Sequence, residues 1–361
     1  MIFRVPVLVS LIAFIRSELA NYLCSSDIFA FAQAGGDLGL LTDEIIKISV
    51  GEANAVLATT DTPSSGFEIR AARERDWGAF ASRPFTRGDL ILVETPLYSV
   101  HEDPNPDEVL RAVERLTHTE RSSVAQLKNA YAEDPLYPDP FVGVHSTNAF
   151  AAGEDQSVLC LRASRFNHSC SPNARHSWHA PSKTFRIYAL RPIAAGDEIL
   201  VCYISGRNVY GSTRAQRQAR LKHKLAFTCA CTVCALPEPE RAASDRRREE
   251  VAGLWETVPY FMPHQIVDRL ETIALGVRLM REEGYCADAD DFTNDAAAIC
   301  GYHSDWVAVR YWALETYATR VAEFGGDSLH VTKAEMQTLL FRPQEYQMAG
   351  MGKRMVLDVR L

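Results

Sequence analysis

Three absences narrow the sequence before any motif is read. There is no basic excess: 38 Lys and Arg stand against 46 Asp and Glu, a formal net charge of −8. Direct nucleic-acid binding is therefore not expected, although a local basic patch is compatible with that balance. There is no even set of cysteines. The nine present, Cys24, Cys160, Cys170, Cys202, Cys229, Cys231, Cys234, Cys286 and Cys300, do not form the disulfide framework of a short secreted chain. There is no apolar run of the roughly 20 residues that span a bilayer comfortably, so no stable membrane association is expected. The run Val5 to Ile15, between Arg4 and Arg16, resembles the core of a signal peptide. A terminal helix packed on the body, or a segment outside the fold, is the plainer reading. A nuclear or cytoplasmic location is expected rather than the secretory route.

What remains is the composition of a soluble globular protein, 47% apolar and 23% charged over 361 residues, with room for about two or three domains. Residues 1–65 end in Thr62-Pro63-Ser64-Ser65 and read as an extension and linker. From Gly66 onward, Phe67-Glu68-Ile69-Arg70, Leu90-Ile91-Leu92-Val93, Thr184 to Leu190 and Glu198 to Tyr203 are short strand-like runs bounded by Gly and Pro. Arg83 to Ile91 recurs in outline as Arg191 to Ile199, each with a Gly-Asp turn feeding a strand. The same local turn is expected twice.

Val109, Val113 and Leu116, then Val124, Leu127 and Tyr131, recur at helical spacing and mark a helical insertion at about 101–150. Thr213 with Gln216 predicts a capping box. Beyond Pro237 and Pro239 the chain turns helical. Ile266, Leu270, Ile273, Val277 and Met280 form one stripe; Trp306, Val309, Ala313 and Tyr317 form another, stopped by Gly325-Gly326. Two charged stretches read as solvated helix faces: the basic residues from Arg207 to Lys224, and Arg246-Arg247-Arg248-Glu249-Glu250.

The densest chemistry is Cys229-Ala230-Cys231-Thr232-Val233-Cys234. Three thiolates do not complete a tetrahedral structural zinc site, so a fourth ligand must come from elsewhere. Cys170, set among polar and turn-forming residues from Arg165 to Asn173, is the best candidate, with His223 as the alternative. Taken singly, Tyr203, Asn167, His168 and Phe227 are ordinary core, rim or turn residues. Their joint occurrence is what points to a site.

The order Asn167-His168-Ser169-Cys170-Ser171-Pro172-Asn173, then Gly196-Asp197-Glu198-Ile199-Leu200-Val201-Cys202-Tyr203, then the cysteine cluster, resembles a SET domain with its post-SET segment. The likeness is to the SET-and-MYND branch and its fungal-type relatives, over about residues 66–236. The stretch from Val100 to Gln156 holds no cysteine, so the MYND zinc module is not expected.

The resemblance implies an α+β architecture. A β-rich SET fold of small sheets over 66–205 would carry a pseudoknot, followed by a zinc-bound post-SET segment over 206–236 and a helical C-terminal region over 237–361. It also implies N-methylation of lysine in a protein substrate, with S-adenosyl-L-methionine as methyl donor and structural Zn2+. Tyr203 matches the catalytic tyrosine. The Asn167 side chain and the His168 backbone match the pair that holds the amino-acid end of the donor. Arg75-Asp76-Trp77-Gly78 matches a Gly-x-Gly turn whose backbone approaches the donor, with Arg75, Trp77 and Gly78 as contacts. Asn148 matches another contact, and Phe227 an aromatic stacked on adenine. Cys170 matches the fourth zinc ligand beside Cys229, Cys231 and Cys234. Two positions depart from the pattern: Asp76 stands for the first glycine, and Leu225 for an aromatic of the lysine channel. They leave open a scaffold that binds partners without methylating, or a zinc-dependent interaction module.

Overall fold

Alternating apolar residues between turn signals produce short strands rather than one large sheet. In the computed structural model, which describes residues 66–361 apart from 73–74, 154, 205–206, 263 and 286, ten strands form four small sheets among the described residues. The Val5–Ile15 run lies outside the described residues. Strand β1 (Phe67–Ala72) pairs antiparallel with β2 (Arg75–Ala81). β3 (Leu90–Glu94) begins a second sheet, and β4 (Tyr98–His101), β5 (Phe150–Ala151) and β6 (Gln156–Leu159) form a third in the order β4-β6-β5. β7 (Asn167–His168) is followed by β8 (Ala174–His179) and β9 (Thr184–Ala189), which complete the second sheet in the order β3-β9-β8. β10 (Leu200–Val201) lies parallel to β7, Leu200 opposite Asn167 and Val201 opposite His168. This two-residue ladder brings the Asn167–Asn173 loop alongside the run that ends in Tyr203.

The repeated turn is real, and its two copies meet. Gly88 and Gly196 take φ of 87° and 91°, a conformation that costs glycine little. The Thr86 N–H donates to Asp89 Oδ2 at 2.8 Å, and the Ala194 N–H donates to Asp197 Oδ2 at 3.2 Å. Phe85 and Ile193 exchange both backbone hydrogen bonds, at 2.9 and 3.0 Å. The second turn then lays residues 196–199 against β2. Ala81 N–H donates to the Asp197 carbonyl at 2.9 Å, and Ile199 N–H to the Ala79 carbonyl at 2.8 Å.

The insertion folds as α1 (Pro106–Glu114), α2 (His118–Ala125) and α3 (Pro140–Asn148), capped by Asn105, Thr117 and Asp139. Helix α4 (Arg214–Leu225) opens on the Thr213/Gln216 capping box and closes on Ala226 at φ 53°. Helices α5 (Glu240–Thr257), α6 (Ile266–Glu282), α7 (Asp290–Tyr302), α8 (Trp306–Phe324) and α9 (Ala334–Phe341) build the C-terminal region. Leu270, Ile273, Val277 and Met280 are buried, as are Val309, Ala313 and Tyr317. Gly325, at φ 83°, follows the last residue of α8. No helix among the described residues is long and apolar enough to cross a membrane.

Apolar burial divides between a β core around Phe85, Phe166, Phe185 and Ile199 and a helical core around Trp255, Leu270 and Trp312. Cys170, Cys229, Cys231 and Cys234 belong to the helical core, although Cys170 leaves the strand β7 only two residues earlier.

Candidate active site and metal centre

The left-handed cap at Ala226 turns the chain out of α4 and delivers Cys229, Cys231 and Cys234 to the loop that follows β7. The four buried sulfurs, Cys170 included, all lie within 4.8 Å of one another. Cys170 Sγ is 3.6 Å from Cys234 Sγ and 4.0 Å from Cys229 Sγ. A tetrahedron of sulfurs about 2.3 Å from a central zinc has edges of about 3.8 Å, so the donor set and its spacing fit that ion. The backbone N–H groups of Cys170 and Cys231 donate to Cys231 Sγ and Cys229 Sγ, at 3.4 and 3.5 Å. Hydrogen bonds from the Cys170, Cys229 and Cys234 thiols push the Cys231 pKa well below its ordinary value. His223 is exposed on α4 and outside the cluster.

Two arginines inside the charged stretches overturn the reading of those stretches as wholly solvated. Arg217 on α4 is 0% exposed. Its Nη1 donates to the Ser212 carbonyl, while Nε and Nη2 find no hydrogen-bond partner. Its neighbouring charges are the Asp245 carboxylate, whose Oδ1 lies 3.7 Å from Nη1, and the Cys170 and Cys234 sulfurs. A buried cation there opposes the negative charge that thiolates accumulate. Arg248 on α5 is also 0% exposed. It donates to the Cys170 carbonyl at 3.2 Å, the Val209 carbonyl at 2.9 Å and Glu283 Oε2 at 2.8 Å. Glu283 accepts further from Ser244 Oγ at 2.6 Å and Arg247 Nε at 2.7 Å. Arg246, Glu249 and Glu250 are exposed, as are Lys222 and Lys224. The solvated reading thus holds for those exposed residues and fails beyond Arg217 and Arg248 as well: half-buried Arg214 donates its Nε to the Cys234 carbonyl at 2.8 Å, and half-buried Arg247 is the one on Glu283.

Tyr203 stands beside the cluster, 38% exposed. Its hydroxyl donates to the Phe166 carbonyl at 2.7 Å, and its backbone N–H donates to His168 Nδ1 at 3.0 Å. With Nδ1 accepting, the neutral imidazole carries its hydrogen on Nε2, which faces Cys170 Sγ at 3.3 Å. The His168 and Tyr203 rings are 5.3 Å apart. Phe227 meets both edge-on, at 6.0 and 6.3 Å. One imidazole therefore touches the tyrosine, the aromatic of the cysteine segment and a sulfur.

On the other side of β7, Asn167 Nδ2 donates to the Trp77 carbonyl at 2.9 Å and to Glu198 Oε1 at 2.7 Å. A Cβ at Gly78 would lie 2.7 Å from Glu198 Oε1 and 3.0 Å from Asn167 Nδ2. Only glycine lets β2 approach this closely. Arg75 to Gly78 is strand here rather than a turn, because Trp77 and Gly78 pair with Ala71 and Arg70 of β1. The Trp77 side chain is 50% exposed at the edge of this group. Asn148 closes α3, its amide donating to the Lys128 and Val144 carbonyls at 2.7 Å each, and it joins none of these contacts. Leu225 is half-buried at the end of α4, against the helical core. Three participants carry no role in the sequence reading: Arg217, Arg248 and Glu198. Glu198 lies within a quoted motif, yet nothing in its spacing singles it out.

The SET domain family model matches residues 76–204. The chain is similar to "Histone-lysine N-methyltransferase set5" of Schizosaccharomyces pombe, 30% identical over 242 residues, which cover 66% of this chain and 73% of that protein. It is similar to "Histone-lysine N-methyltransferase SET5" of Meyerozyma guilliermondii, 31% identical over 100 residues, 27% of this chain and 19% of that protein. It is also similar to "Protein-lysine N-methyltransferase SMYD4" of Homo sapiens, 39% identical over 83 residues, 23% of this chain and 10% of that protein. The last two matches thus cover less than a fifth of the relatives' own length.

Proposed function

The chain belongs to the SET-domain family of protein-lysine methyltransferases, and from that premise we propose that it methylates lysine side chains of a protein substrate, using S-adenosyl-L-methionine and a structural zinc ion held by Cys170, Cys229, Cys231 and Cys234. The observation that carries the proposal is the meeting of Tyr203, His168 and Phe227 from three separate segments beside the four sulfurs.

When bound, S-adenosylmethionine supplies an electrophilic methyl group on a cationic sulfur, and zinc supplies a fixed link between the β7 loop and the segment after α4. The chain's own residues do the rest. Asn167 would hold the amino-acid end of the donor, with the backbone of Trp77 and Gly78 next to the Asn167 amide. Phe227 and Trp77 offer aromatic faces to a cation or a planar base. Tyr203 commits its hydroxyl hydrogen to the Phe166 carbonyl, so towards an incoming amine its phenol oxygen would act as an acceptor. That amine must be neutral to attack, and its ordinary pKa is about 10.4. Apolar surroundings disfavour the ammonium form. The contribution of Tyr203 is alignment rather than covalent chemistry.

The test is transfer of labelled methyl groups by the whole protein, comparing wild type with Tyr203→Phe. Histones come first as substrates because the fission-yeast relative is named for them. Phenylalanine keeps the ring contacts and removes the hydroxyl, and a loss of about 100-fold is expected from misalignment. Equal incorporation by both proteins would exclude the role given to Tyr203. No incorporation by wild type, with donor and zinc bound, would favour a scaffold that recruits partners.

A further inference from the structure

We propose that Glu198 is a positioning residue for the ammonium end of the methyl donor, acting through the Asn167 amide. The proposal rests on the reading that this protein takes S-adenosylmethionine. An asparagine amide offers two hydrogens and one oxygen. Both Asn167 hydrogens are committed, one to the Trp77 carbonyl and one to the Glu198 carboxylate. Both partners are acceptors, so the orientation of the amide follows from the bonds themselves. Among the described residues, Oδ1 accepts from none. An oxygen presented in this way pairs with a donor such as an ammonium group and repels a carboxylate.

Glu198 is held to this task from three directions. Its backbone bridges Phe80, and the neighbouring Asp197 and Ile199 are hydrogen-bonded to Ala81 and Ala79. Its carbonyl accepts from Asn173 Nδ2 at 2.9 Å, while the Leu200 N–H donates to Asn173 Oδ1 at 2.7 Å. The missing side chain of Gly78 leaves the room in which carboxylate and amide meet. A residue that merely tied β2 to the β7 loop would not need to fix which face of the amide remains open.

The experiment is calorimetric titration of the full-length protein with two ligands. One is S-adenosylmethionine; the other is 5′-deoxy-5′-methylthioadenosine, which keeps the nucleoside and the thioether but lacks the amino-acid end. E198A is expected to weaken S-adenosylmethionine binding by about 10- to 100-fold, the range for a hydrogen bond to a charged group. Methylthioadenosine binding should stay within about twofold, because that ligand never reaches Asn167. E198Q keeps an acceptor for the amide and should lose less than E198A. Equal losses for both ligands in E198A, or no loss for either, would overturn the assignment. A wild-type protein that binds neither ligand overturns the donor reading itself, and this assignment with it.

Discussion

Replacing Arg248 by methionine tests whether the helical region holds the metal loop. The side chain is 0% exposed and serves the Cys170 carbonyl, the Val209 carbonyl and Glu283. Methionine fills much of the space of the arginine stem and offers no donor. Removing one partner of a buried ion pair costs about 3–5 kcal/mol. Here Arg247 and Ser244 remain on Glu283, which places the cost near the lower end. An acceptor left unsatisfied adds about 1–3 kcal/mol unless the loop relaxes. A loss of about 3 kcal/mol if the loop relaxes, and of about 4–6 kcal/mol if it does not, is therefore expected in urea unfolding, a large share of the roughly 5–15 kcal/mol typical of a domain. Zinc capture by a chromophoric chelator should be faster, since the Cys170 loop has lost an anchor. The double variant Arg248→Met, Glu283→Gln separates the two effects. It leaves no carboxylate short of a cation, so part of the stability should return, while the Cys170 carbonyl stays unanchored and zinc release stays fast. A single variant within about 0.5 kcal/mol of wild type, the usual range for surface substitutions, with unchanged zinc release, would refute the reasoning.

Cys170→Ser should leave the purified protein with less zinc than the one ion per chain expected of wild type, measured by elemental analysis. Full occupancy in the variant would mean that another residue completes the site. His176 packs against the Phe150 and Phe185 rings, at 5.4 Å from each, and burial pushes its pKa down to about 4. The unfolded chain takes up that proton near pH 6.5 while the folded chain does not, so the stability is present above about 6.5 and drains as pH falls toward 4. At about 1.4 kcal/mol per pH unit, His176→Phe should reduce the loss between pH 6.5 and 5 by about 2 kcal/mol. An unchanged slope in urea unfolding at the two pH values would sink this account. Buried His145, pushed down to about 4 by the same cause, should keep its own share of the slope in the variant.

What was legible in the sequence was local. Each Gly-Asp turn, the Thr213/Gln216 cap and the apolar stripes of α6 and α8 depend on residues within a few positions of one another, and each formed where its signal lay. The cysteine triplet required a fourth ligand, and the NHSC motif offered one. The illegible part depends on helix phase and on distant partners. Nothing in Arg246–Glu250 tells which arginine meets a carbonyl some eighty positions earlier, and the same holds for Arg217 against the sulfurs. The match of Arg75–Gly78 to a Gly-x-Gly turn implies a turn there, but pairing with β1 extends it. The role of Glu198 exists only where Gly78 and Asn167 close on it from two other segments.

The clasp between Phe85 and Ile193 has a consequence for surface loops well removed from the chemistry. Extended chain points successive side chains to opposite faces. One residue added between Ile193 and Glu198 would swing the carboxylate away from Asn167 and present a neighbour in its stead, with every contact at the clasp intact. In such loops the number of residues matters more than their identity, and a lengthened turn could silence the protein without unfolding it.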